Sequence, residues 1–512
     1  MPILEEFLEA IAIQNIKDKE AFAELMALPL EDRKAKGVTI SNVKVVFQFR
    51  ESPPNSWCPA LNHPEKYINQ AHIYCENNIS KFREGEQVLL TNGKYKFNMD
   101  ILEDTVDNFI LIPNTYDASN CWLDSSNYNP FNWEVNVLNS DITHKLLTAT
   151  ANNLMGDTDR LKKIEDLLSG SLTNTFTSEF QYTDLNVSQN EAVRKSIGAP
   201  NFHLIQGPPG TGKTETIAHI AKLFLDAGKR VFITAPTHTA INNCLNAIAS
   251  KVLDASKVVK IGEKYQAKEV LTNPHLYRYT RLTWDKYLVN PTLSKSGIIV
   301  GGTPFCFCYP ASRRLENWEF DVALIDEAAQ MSIPLAVSVM SKSDKFIFVG
   351  DHKQLDPIIP SDTGLSMFSE SIFSRLVKLY PQDKTLLNTS YRLNESLIRI
   401  PNELFYHNQL QSHYSTKHHK DFLNSSNYSA VLNHEDAKIL YLHHEFDSQG
   451  RSPHEAKIIA ALVKDLLDND VKLQDIGILT PYRAQVREIK KELEKIFKSL
   501  HGQNKDDLFI DT

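Results

Sequence analysis

The chain has 512 residues, 42% of them hydrophobic and 23% charged, with 55 lysines and arginines against 63 aspartates and glutamates. This is ordinary globular composition, and at about 150 residues per domain it predicts roughly three or four domains. The net charge of −8 excludes a uniformly basic nucleic-acid-binding protein. It does not exclude a basic channel, because electrostatic steering depends on the local field.

The sequence favours a cytoplasmic protein with no membrane partner. No run of about 18 apolar residues predicts a membrane span. The acidic start MPILEEFLEA lacks the basic and apolar regions of a secretory signal. Six cysteines in the whole chain are typical of reduced thiols rather than of a disulfide framework. Cys306 and Cys308 form an isolated CxC, which we interpret as buried thiols because two further zinc ligands are missing nearby.

The first third of the chain combines helices with a β-rich segment. Residues 1–40 and 140–180 have helical periodicity, with a break at Pro29 and a glycine cap at Gly170. Residues 41–139 contain short β-rich runs separated by Pro, Asn, Gly and Ser. We predict a helical stalk that carries a small antiparallel barrel. An unspecified β module on helices fits almost as well.

From residue 186 onward, apolar runs alternate with helical segments. The runs are HLIQ, RVFITA, VVKI, GIIVGG, VALID and KFIFVG. Such alternation predicts a parallel sheet covered on both faces, over residues 186–380. A second set of runs, TLLN, AKILYL and DIGILT, predicts a second α/β domain over residues 381–512. With three clear strands, this second domain is expected to be incomplete.

A phosphate-binding loop follows the first of these strands. Residues 207–214 read GPPGTGKT, between the strand that ends at Ile205 and an amphipathic helix. In this motif the backbone N–H groups face a polyphosphate, the lysine reaches the β- and γ-phosphates, and the hydroxyl binds Mg²⁺. The residues predicted to bind ATP here are Gly207, Pro208, Pro209, Gly210, Thr211, Gly212, Lys213 and Thr214.

Two later strands end in polar groups that complete a catalytic site. Asp326 and Glu327 follow the run VALI, and Gln354 lies in GDHKQL after the run FIFV. The carboxyl ends of parallel strands meet at one edge of the sheet, where ligands bind. We predict that Asp326 holds Mg²⁺ through water, that Glu327 deprotonates the attacking water, and that Gln354 senses the γ-phosphate.

These motifs occur in the order found in superfamily 1 helicases. GPPGTGKT, APTHTAINN, DEAAQ, GDHKQL, SYR with PNELFY, and TPYRAQ resemble the superfamily 1B branch of up-frameshift and immunoglobulin-mu-binding helicases. The resemblance covers about residues 186–512, and residues 1–180 are similar only in layout. It implies an α/β fold with two RecA-like P-loop domains, plus a barrel on helical stalks. The family's Cys/His zinc module is missing from this sequence.

The resemblance also assigns roles to individual residues. Gln189 resembles the glutamine that reads adenine, Tyr391 the aromatic that stacks on the base, and Arg392 the arginine that reaches the γ-phosphate from the second domain. The residues that resemble contacts to the nucleic-acid backbone are Thr237, Asn242, Thr303 and Thr480. Taken alone, Thr237 and Asn242 also fit a turn or helix cap, and Arg392 also fits an ordinary surface arginine.

The implied activity is that of an ATP-driven helicase or translocase on single-stranded or tailed DNA or RNA, with 5′→3′ polarity and with ATP and Mg²⁺ bound. The chain ends at LFIDT, where the family continues into a V-D-x-x-Q-G motif and an arginine-finger motif. We therefore expect a fragment of a longer protein. An ATP-gated clamp or an inactive fragment is the alternative. An unrelated P-loop ATPase is disfavoured by TPYRAQ and SYR. The residues do not distinguish RNA from DNA or identify protein partners.

Overall fold

The computed structural model describes most of the chain, in two compact units. The described residues are 2–53, 58–62, 64–75, 78–105, 108–114, 121–139, 141–176, 184–262, 264–267, 270, 297–308, 315, 318–357, 370–414, 450–497 and 508–511. The first unit joins Met1–Ala21 to Ser140–Lys417, and the second joins Phe22–Asn139 to His418–Thr512. No helix in the described ranges is long and apolar enough to cross a bilayer.

Helices flank the β-rich segment on both sides in the sequence. They are α1 (Pro2–Ala27), α2 (Leu30–Ala35), α3 (Ile142–Gly156) and α4 (Thr158–Ser169). The break between α1 and α2 falls at Pro29, whose backbone is extended, with ψ at 149°. Gly170 ends α4 in the left-handed conformation, with φ at 83°, which glycine adopts without a steric penalty.

The β-rich segment is a closed antiparallel barrel. Its strands are β1 (Thr39–Arg50), β2 (Glu65–Tyr74), β3 (Gln87–Thr91), β4 (Lys96–Asp104), β5 (Asn108–Pro113), β6 (Trp122–Asp124) and β7 (Trp133–Val137). The order β1-β7-β3-β4-β5-β2 closes through pairing of β1 with β2, and β6 adds to β2. Val43, Val45 and Phe47 alternate inward along β1 around the fully buried Trp133. This period of two fills the interior with side chains, and the predicted barrel is confirmed.

The first unit contains a seven-stranded parallel sheet. Its strands are β8 (Phe202–Gln206), β9 (Arg230–Thr234), β10 (Val258–Lys260), β11 (Ile298–Gly301), β12 (Phe320–Ile325), β13 (Ser343–Gly350) and β14 (Lys384–Leu386), in the order β10-β11-β9-β12-β13-β8-β14. Its helices are α5 (Val187–Gly198), α6 (Lys213–Asp226), α7 (His238–Ala249), α8 (Ile333–Met340) and α9 (Ile372–Leu379). The predicted parallel α/β fold is confirmed.

Both faces of this sheet are buried. Consecutive residues of β8 point to opposite sides, so Leu204 joins one hydrophobic core and Ile205 joins the other. The core that contains Leu204 also includes Phe7 of α1, Leu146 of α3 and side chains of α4. The stalk helices therefore cover one face of the sheet, while α6 and α7 cover the other face.

The run TLLN does not start a second sheet. Lys384, Thr385 and Leu386 pair in parallel with Leu204, Ile205 and Gln206, so β14 is an edge strand of the first sheet. The expectation that TLLN belongs to the second set of strands was wrong. A short apolar run carries no signal of which sheet it joins, because strand pairing is decided by tertiary contacts.

The remaining elements follow β14. They are β15 (Thr389–Ser390), α10 (Glu395–Phe405) and β16 (Gln411–Ser412) in the first unit, and α11 (Pro453–Asp468), β17 (Gly477–Leu479), α12 (Arg483–Phe497) and β18 (Phe509–Asp511) in the second. Strand β17 pairs in parallel with β18. Ile489 and Leu493 of α12 pack with Ala456 and Val463 of α11 in a small core. The run AKILYL lies outside the described residues.

Within the second unit, α12 is joined to the barrel by one buried arginine. Arg487 Nη2 lies 2.9 Å from Asp104 Oδ2, and the two side chains are only 7% and 10% exposed. The guanidinium also donates to the backbone carbonyls of Asn78, Ser80 and Phe82. Burial raises the pKa of Asp104 although Arg487 opposes that shift. Desolvation therefore outweighs the attraction within this pair.

We expect Arg487→Met to lower the free energy of unfolding of the second unit by about 3–5 kcal/mol, because Asp104 is left buried without its cation. Chemical denaturation of the full chain measures this loss. Adding Asp104→Asn to Arg487→Met should recover part of it, since the uncompensated charge is then removed. A loss below about 1 kcal/mol, typical of exposed pairs, would contradict the buried arrangement.

A second buried polar contact ties β8 to its neighbours. His203 is 0% exposed, its Nδ1 lies 2.9 Å from Ser196 Oγ, and its Nε2 lies 3.0 Å from Thr385 Oγ1. Burial, with Lys195 and Lys345 nearby, lowers the pKa of His203 to about 3. The imidazole is therefore neutral in the folded protein, while the unfolded chain takes up a proton near pH 6.5.

His203 should make the first unit sensitive to acid. Between pH 6.5 and the folded pKa the unfolded state binds one more proton, so stability falls as the pH falls. We expect about 2 kcal/mol of this histidine's contribution to be lost between pH 7 and pH 5. Unfolding of His203→Gln measured at both pH values should show a smaller difference. His454→Gln, a change at an exposed histidine, should keep the wild-type difference, and equal differences in all three proteins would refute the assignment.

Cys306 lies within the short 3₁₀ helix Pro304–Phe307 in the first unit, and Cys308 is the residue directly after this helix. Cys306 is buried and Cys308 is partly exposed. Burial raises the pKa of both thiols, that of Cys308 to about 11. The thiolate is the form that binds metals and acts as a nucleophile, so both side chains are in their unreactive form at neutral pH.

Candidate nucleotide site

The phosphate loop connects β8 to α6 at the carboxyl edge of the sheet. Gly207 N donates to Gly350 O at 3.0 Å, which joins the ends of β8 and β13. Gly210 and Gly212 have φ values of 72° and 79°, a region that favours glycine. A Cβ on Gly207 would collide with the aliphatic stem of Lys213. The loop is therefore curled closely around the lysine, in a conformation that larger residues would not allow.

The lysine of this loop lies near the acidic end of β12. Lys213 Nζ donates to Gly207 O at 2.8 Å, and its charge lowers the pKa of Asp326. Burial and the neighbouring Glu327 act in the opposite direction and prevail, so the pKa of Asp326 rises to about 6. A buried carboxylate with a nearby ammonium and a second acid is the electrostatic pattern of a site that binds a cation and a phosphate.

The aspartate is held on both carboxylate oxygens. Oδ1 accepts from Glu327 N at 2.9 Å, and Oδ2 accepts from Cys244 Sγ at 3.3 Å. Burial and Asp326 raise the pKa of the Cys244 thiol, so the sulfur carries the proton and is the donor. Glu327 has φ at 50°, an uncommon conformation for a residue with a side chain, and one that occurs at functional sites.

A third group of polar contacts is centred on Asp351, directly after β13. Its carboxylate is 2% exposed and accepts from Gln206 Nε2 at 3.1 Å, Gln354 Nε2 at 2.8 Å and Tyr406 Oη at 2.5 Å. Lys384 Nζ in turn donates to Gln206 Oε1 at 2.8 Å. Gln354, predicted to sense the γ-phosphate, therefore has its amide directed at Asp351 in this structure.

We expect Tyr406→Phe to destabilise the first unit by about 1–3 kcal/mol, because a buried carboxylate then loses one of its side-chain donors. Asp351 and burial raise the pKa of Tyr406, so the phenol stays protonated and keeps donating at neutral pH. Thermal or chemical unfolding measures the difference. Tyr414→Phe is the matched control, because Tyr414 is 48% exposed, and it should change stability by less than about 0.5 kcal/mol. Equal effects of the two changes would disprove the contact.

The segment around Tyr391 lies directly on the phosphate loop. Tyr391 N donates to Gly210 O at 2.7 Å, and Ser390 Oγ donates to Pro209 O at 3.1 Å. A Cβ on Gly210 would collide with Arg392. The resemblance placed Arg392 in the second domain. Here residues 389–412 belong to the first unit, and Arg392 is exposed beside the loop.

Gln189 also contacts the phosphate loop. Together with Asn186 it forms a capping box at the start of α5, and its Nε2 donates to Thr211 O at 3.3 Å. Asn186 Nδ2 also donates to the hydroxyl of Tyr391 at 3.0 Å. The glutamine and the aromatic ring that were predicted to bind the adenine base are therefore joined through one asparagine.

The residues present fit a nucleotide phosphate with a divalent cation. The Thr214 hydroxyl, at the start of α6, and the Asp326 carboxylate, acting through water, would offer Mg²⁺ the hard oxygen atoms that it prefers. The glycines of the loop have no side chains that would cover its backbone N–H groups. The N-terminus of α6 also favours the binding of an anion. These features identify the residues that would hold Mg²⁺ and the phosphates.

The four residues predicted to contact nucleic acid differ in their exposure to solvent and in their position in the fold. Thr237 is exposed and caps α7, accepting from Ala240 N at 3.3 Å. Asn242 is 1% exposed, and its Nδ2 donates to Gln266 O at 3.0 Å, so it faces inward. Thr303 precedes the helix Pro304–Phe307 and is 8% exposed. Thr480 lies in the second unit, where its N–H donates to Asp511 O at 3.1 Å. These four roles stay predictions.

Several residues of the site were not singled out from the sequence. Nothing in the sequence indicated a functional role for Cys244, because a single cysteine in a predicted helix is usually an ordinary buried thiol. Asp351 and Tyr406 lie inside GDHKQL and PNELFY, but nothing in those patterns shows that the two side chains meet. Gln206 ends a strand that reads as uniformly buried.

The chain is similar to known AAA domains and to ATP-dependent helicases. Two family models, both described as AAA domain, match residues 184–383 and residues 368–511. The chain is 28% identical over 341 residues to the DNA replication ATP-dependent helicase/nuclease DNA2 of Saccharomyces cerevisiae, a match that covers 61% of this chain and 22% of that protein. It is 26% identical over 410 residues to an uncharacterized ATP-dependent helicase of Methanocaldococcus jannaschii, covering 62% of this chain and 60% of that protein.

By these matches the chain is similar to ATP-dependent helicases and to AAA domains. The chain spans between 22% and 60% of the length of these two relatives, so what the whole relatives do reaches this chain only as a proposal. A solved structure of Arterivirus nonstructural protein 10 (helicase) with DNA is similar with a TM-score of 0.33 and 14% identity, over 70% of this chain and 64% of that one.

Proposed function

We propose that the chain is an ATP-dependent helicase or translocase that acts on single-stranded or tailed DNA or RNA with 5′→3′ polarity. The observation that carries this proposal is the meeting of three strand ends at one edge of the sheet. They bring together the loop with Lys213, the acids Asp326 and Glu327, and the polar cluster around Asp351. The amino-acid sequences of the motifs favour membership of the branch that contains the up-frameshift and immunoglobulin-mu-binding helicases.

In the proposed reaction, a water molecule attacks the γ-phosphorus of ATP and the bond to the β–γ bridging oxygen breaks, giving ADP and phosphate. Glu327 accepts the proton of this water. Lys213 and Arg392 offset the charge that builds on the phosphate oxygens. Mg²⁺, held by Thr214 and through water by Asp326, would supply further neutralisation of phosphate charge. Gln189 and Tyr391 hold the adenine.

The nucleic-acid side of the proposal rests on α7. Its N-terminus presents the exposed Thr237, and the helix packs against the same sheet that carries the nucleotide site. Helix N-termini bind phosphate groups readily. We propose that Thr237 and Thr303 contact the nucleic-acid backbone in the first unit and that Thr480 does so in the second. Asn242, whose side chain is buried, supports this surface through its bond to Gln266 O.

A strand-separation assay tests the proposal. Fluorescent duplexes with a 5′ tail, a 3′ tail or no tail, in both DNA and RNA, are incubated with the full chain and ATP. We expect separation of the 5′-tailed duplex only, and its absence with a non-hydrolysable ATP analogue. ATP-gated binding without separation would instead identify a clamp, and preference for the 3′ tail would overturn the polarity.

A further inference from the structure

Cys244 is a buried thiol in contact with the carboxylate that is proposed to hold the metal. It lies on α7 and is 0% exposed, and its Sγ donates to Asp326 Oδ2 at 3.3 Å. The other oxygen of Asp326 is held by Glu327 N at 2.9 Å, and the N–H of Asp326 donates to Thr234 O at 2.8 Å. The backbone N–H of this aspartate and its two carboxylate oxygens therefore each make one hydrogen bond.

The thiol is itself held firmly in place. Ile241, Leu245 and Ile248, on the buried side of α7, are each 0% exposed. A Cβ on Gly301 would lie 2.6 Å from Leu245 Cδ1, which shows that α7 approaches β11 as closely as a glycine allows. A helix packed this tightly does not shift easily, so Cys244 presents its S–H at one position.

We propose that Cys244 is a positioning residue that orients the Asp326 carboxylate for Mg²⁺ binding; this inference rests on the proposed function. A carboxylate that holds a metal ion, directly or through water, needs one fixed orientation. The hydrogen-bond donors around it set this orientation and thereby the affinity for the metal ion. The thiol is a weak donor toward neutral groups, but a charged acceptor in a water-poor site strengthens the hydrogen bond. Without it, rotation about the Cβ–Cγ bond of Asp326 is restrained at one oxygen only.

Three single substitutions in the full chain separate this role from simple packing. Cys244→Val fills similar volume but offers no donor. Cys244→Ser restores a donor in a smaller side chain. Ile248→Val removes one methylene group one turn further along the same face of α7 and leaves Asp326 untouched. Circular dichroism and the melting temperature show that each variant is folded.

Binding of Mn²⁺ as a probe for Mg²⁺, followed by electron paramagnetic resonance in the presence of ADP, measures the effect without turnover. We expect Cys244→Val to weaken Mn²⁺ binding about tenfold, the low end of the range for outer partners of metal ligands. Cys244→Ser and Ile248→Val should bind Mn²⁺ as the wild type does. The Mg²⁺ concentration for half-maximal ATP hydrolysis should shift in the same order.

Wild-type Mn²⁺ binding by Cys244→Val would overturn the proposal, and so would equal weakening by valine and serine, which would indicate packing alone. Failure of the proposed function looks different. A wild-type protein that hydrolyses no ATP, while the valine and serine variants still separate in Mn²⁺ binding, would disprove the helicase activity and support the role of Cys244.

Discussion

Lys213→Ala should abolish ATP hydrolysis. The ammonium of Lys213 lies 2.8 Å from Gly207 O, and its charge opposes the rise in the pKa of Asp326 that burial causes. Removing one preorganised group that stabilises transition-state charge costs roughly 10²–10³ in rate, and the lysine of such a loop also contributes to binding phosphates. Steady-state release of inorganic phosphate, measured over a range of ATP concentrations, should show a fall to background.

The control for this change is Lys222→Ala. Lys222 lies on the same helix, α6, and pairs with Asp226 four residues further along at 2.5 Å. A surface ion pair of this kind contributes less than about 1 kcal/mol to stability, so turnover should be that of the wild type. Normal turnover in Lys213→Ala would show that the nucleotide binds elsewhere, and the assignment of residues 207–214 as the phosphate loop would be wrong.

Glu327→Gln should bind ATP and hydrolyse it far more slowly. The glutamine keeps the size and polarity of the side chain but does not accept the proton of the attacking water. General-base catalysis contributes about 10²–10⁴-fold, which is the expected fall in the rate. The backbone contact from Glu327 N to Asp326 Oδ1 at 2.9 Å does not involve the Glu327 side chain, so the carboxylate that is proposed to hold Mg²⁺ should stay in place.

Two measurements separate the steps in this variant. Titration with a fluorescent ATP analogue should give a dissociation constant near that of the wild type, and a single-turnover assay should show the slow step. Glu319→Gln is the matched control, since Glu319 is 55% exposed and pairs with Arg160 at 3.1 Å. Loss of nucleotide binding in a folded Glu327→Gln protein would mean that Glu327 has another role.

The sequence predicts most of the first unit because its signals are local. The buried strands β8, β12 and β13 each end in a polar motif, and the carboxyl ends of parallel strands meet at one edge. The order of P-loop, Asp326 and Gln354 is therefore enough to place the three groups together. The barrel is predicted for the same kind of reason, since short β-rich runs separated by Pro, Asn, Gly and Ser indicate strands and turns before any pairing is known.

What the sequence does not reveal depends on contacts between distant parts of the chain. Arg487 lies in α12, whose apolar residues pack against α11, yet its guanidinium is buried against Asp104, 383 residues away in sequence. The bond from Tyr406 to Asp351 spans 55 residues, and that from Cys244 to Asp326 spans 82. Periodicity reports which face of an element is buried, but not the side chain that it meets.

The most direct test of the proposed helicase activity is the dependence of ATP hydrolysis on nucleic acid. Phosphate release by the full chain is measured alone, with single-stranded DNA, with single-stranded RNA, and with heparin as a polyanion that lacks bases. We expect a rate that rises with at least one nucleic acid, stays basal with heparin, and falls to background in Lys213→Ala. ATP hydrolysis that depends on Lys213 but does not respond to DNA or RNA would contradict it.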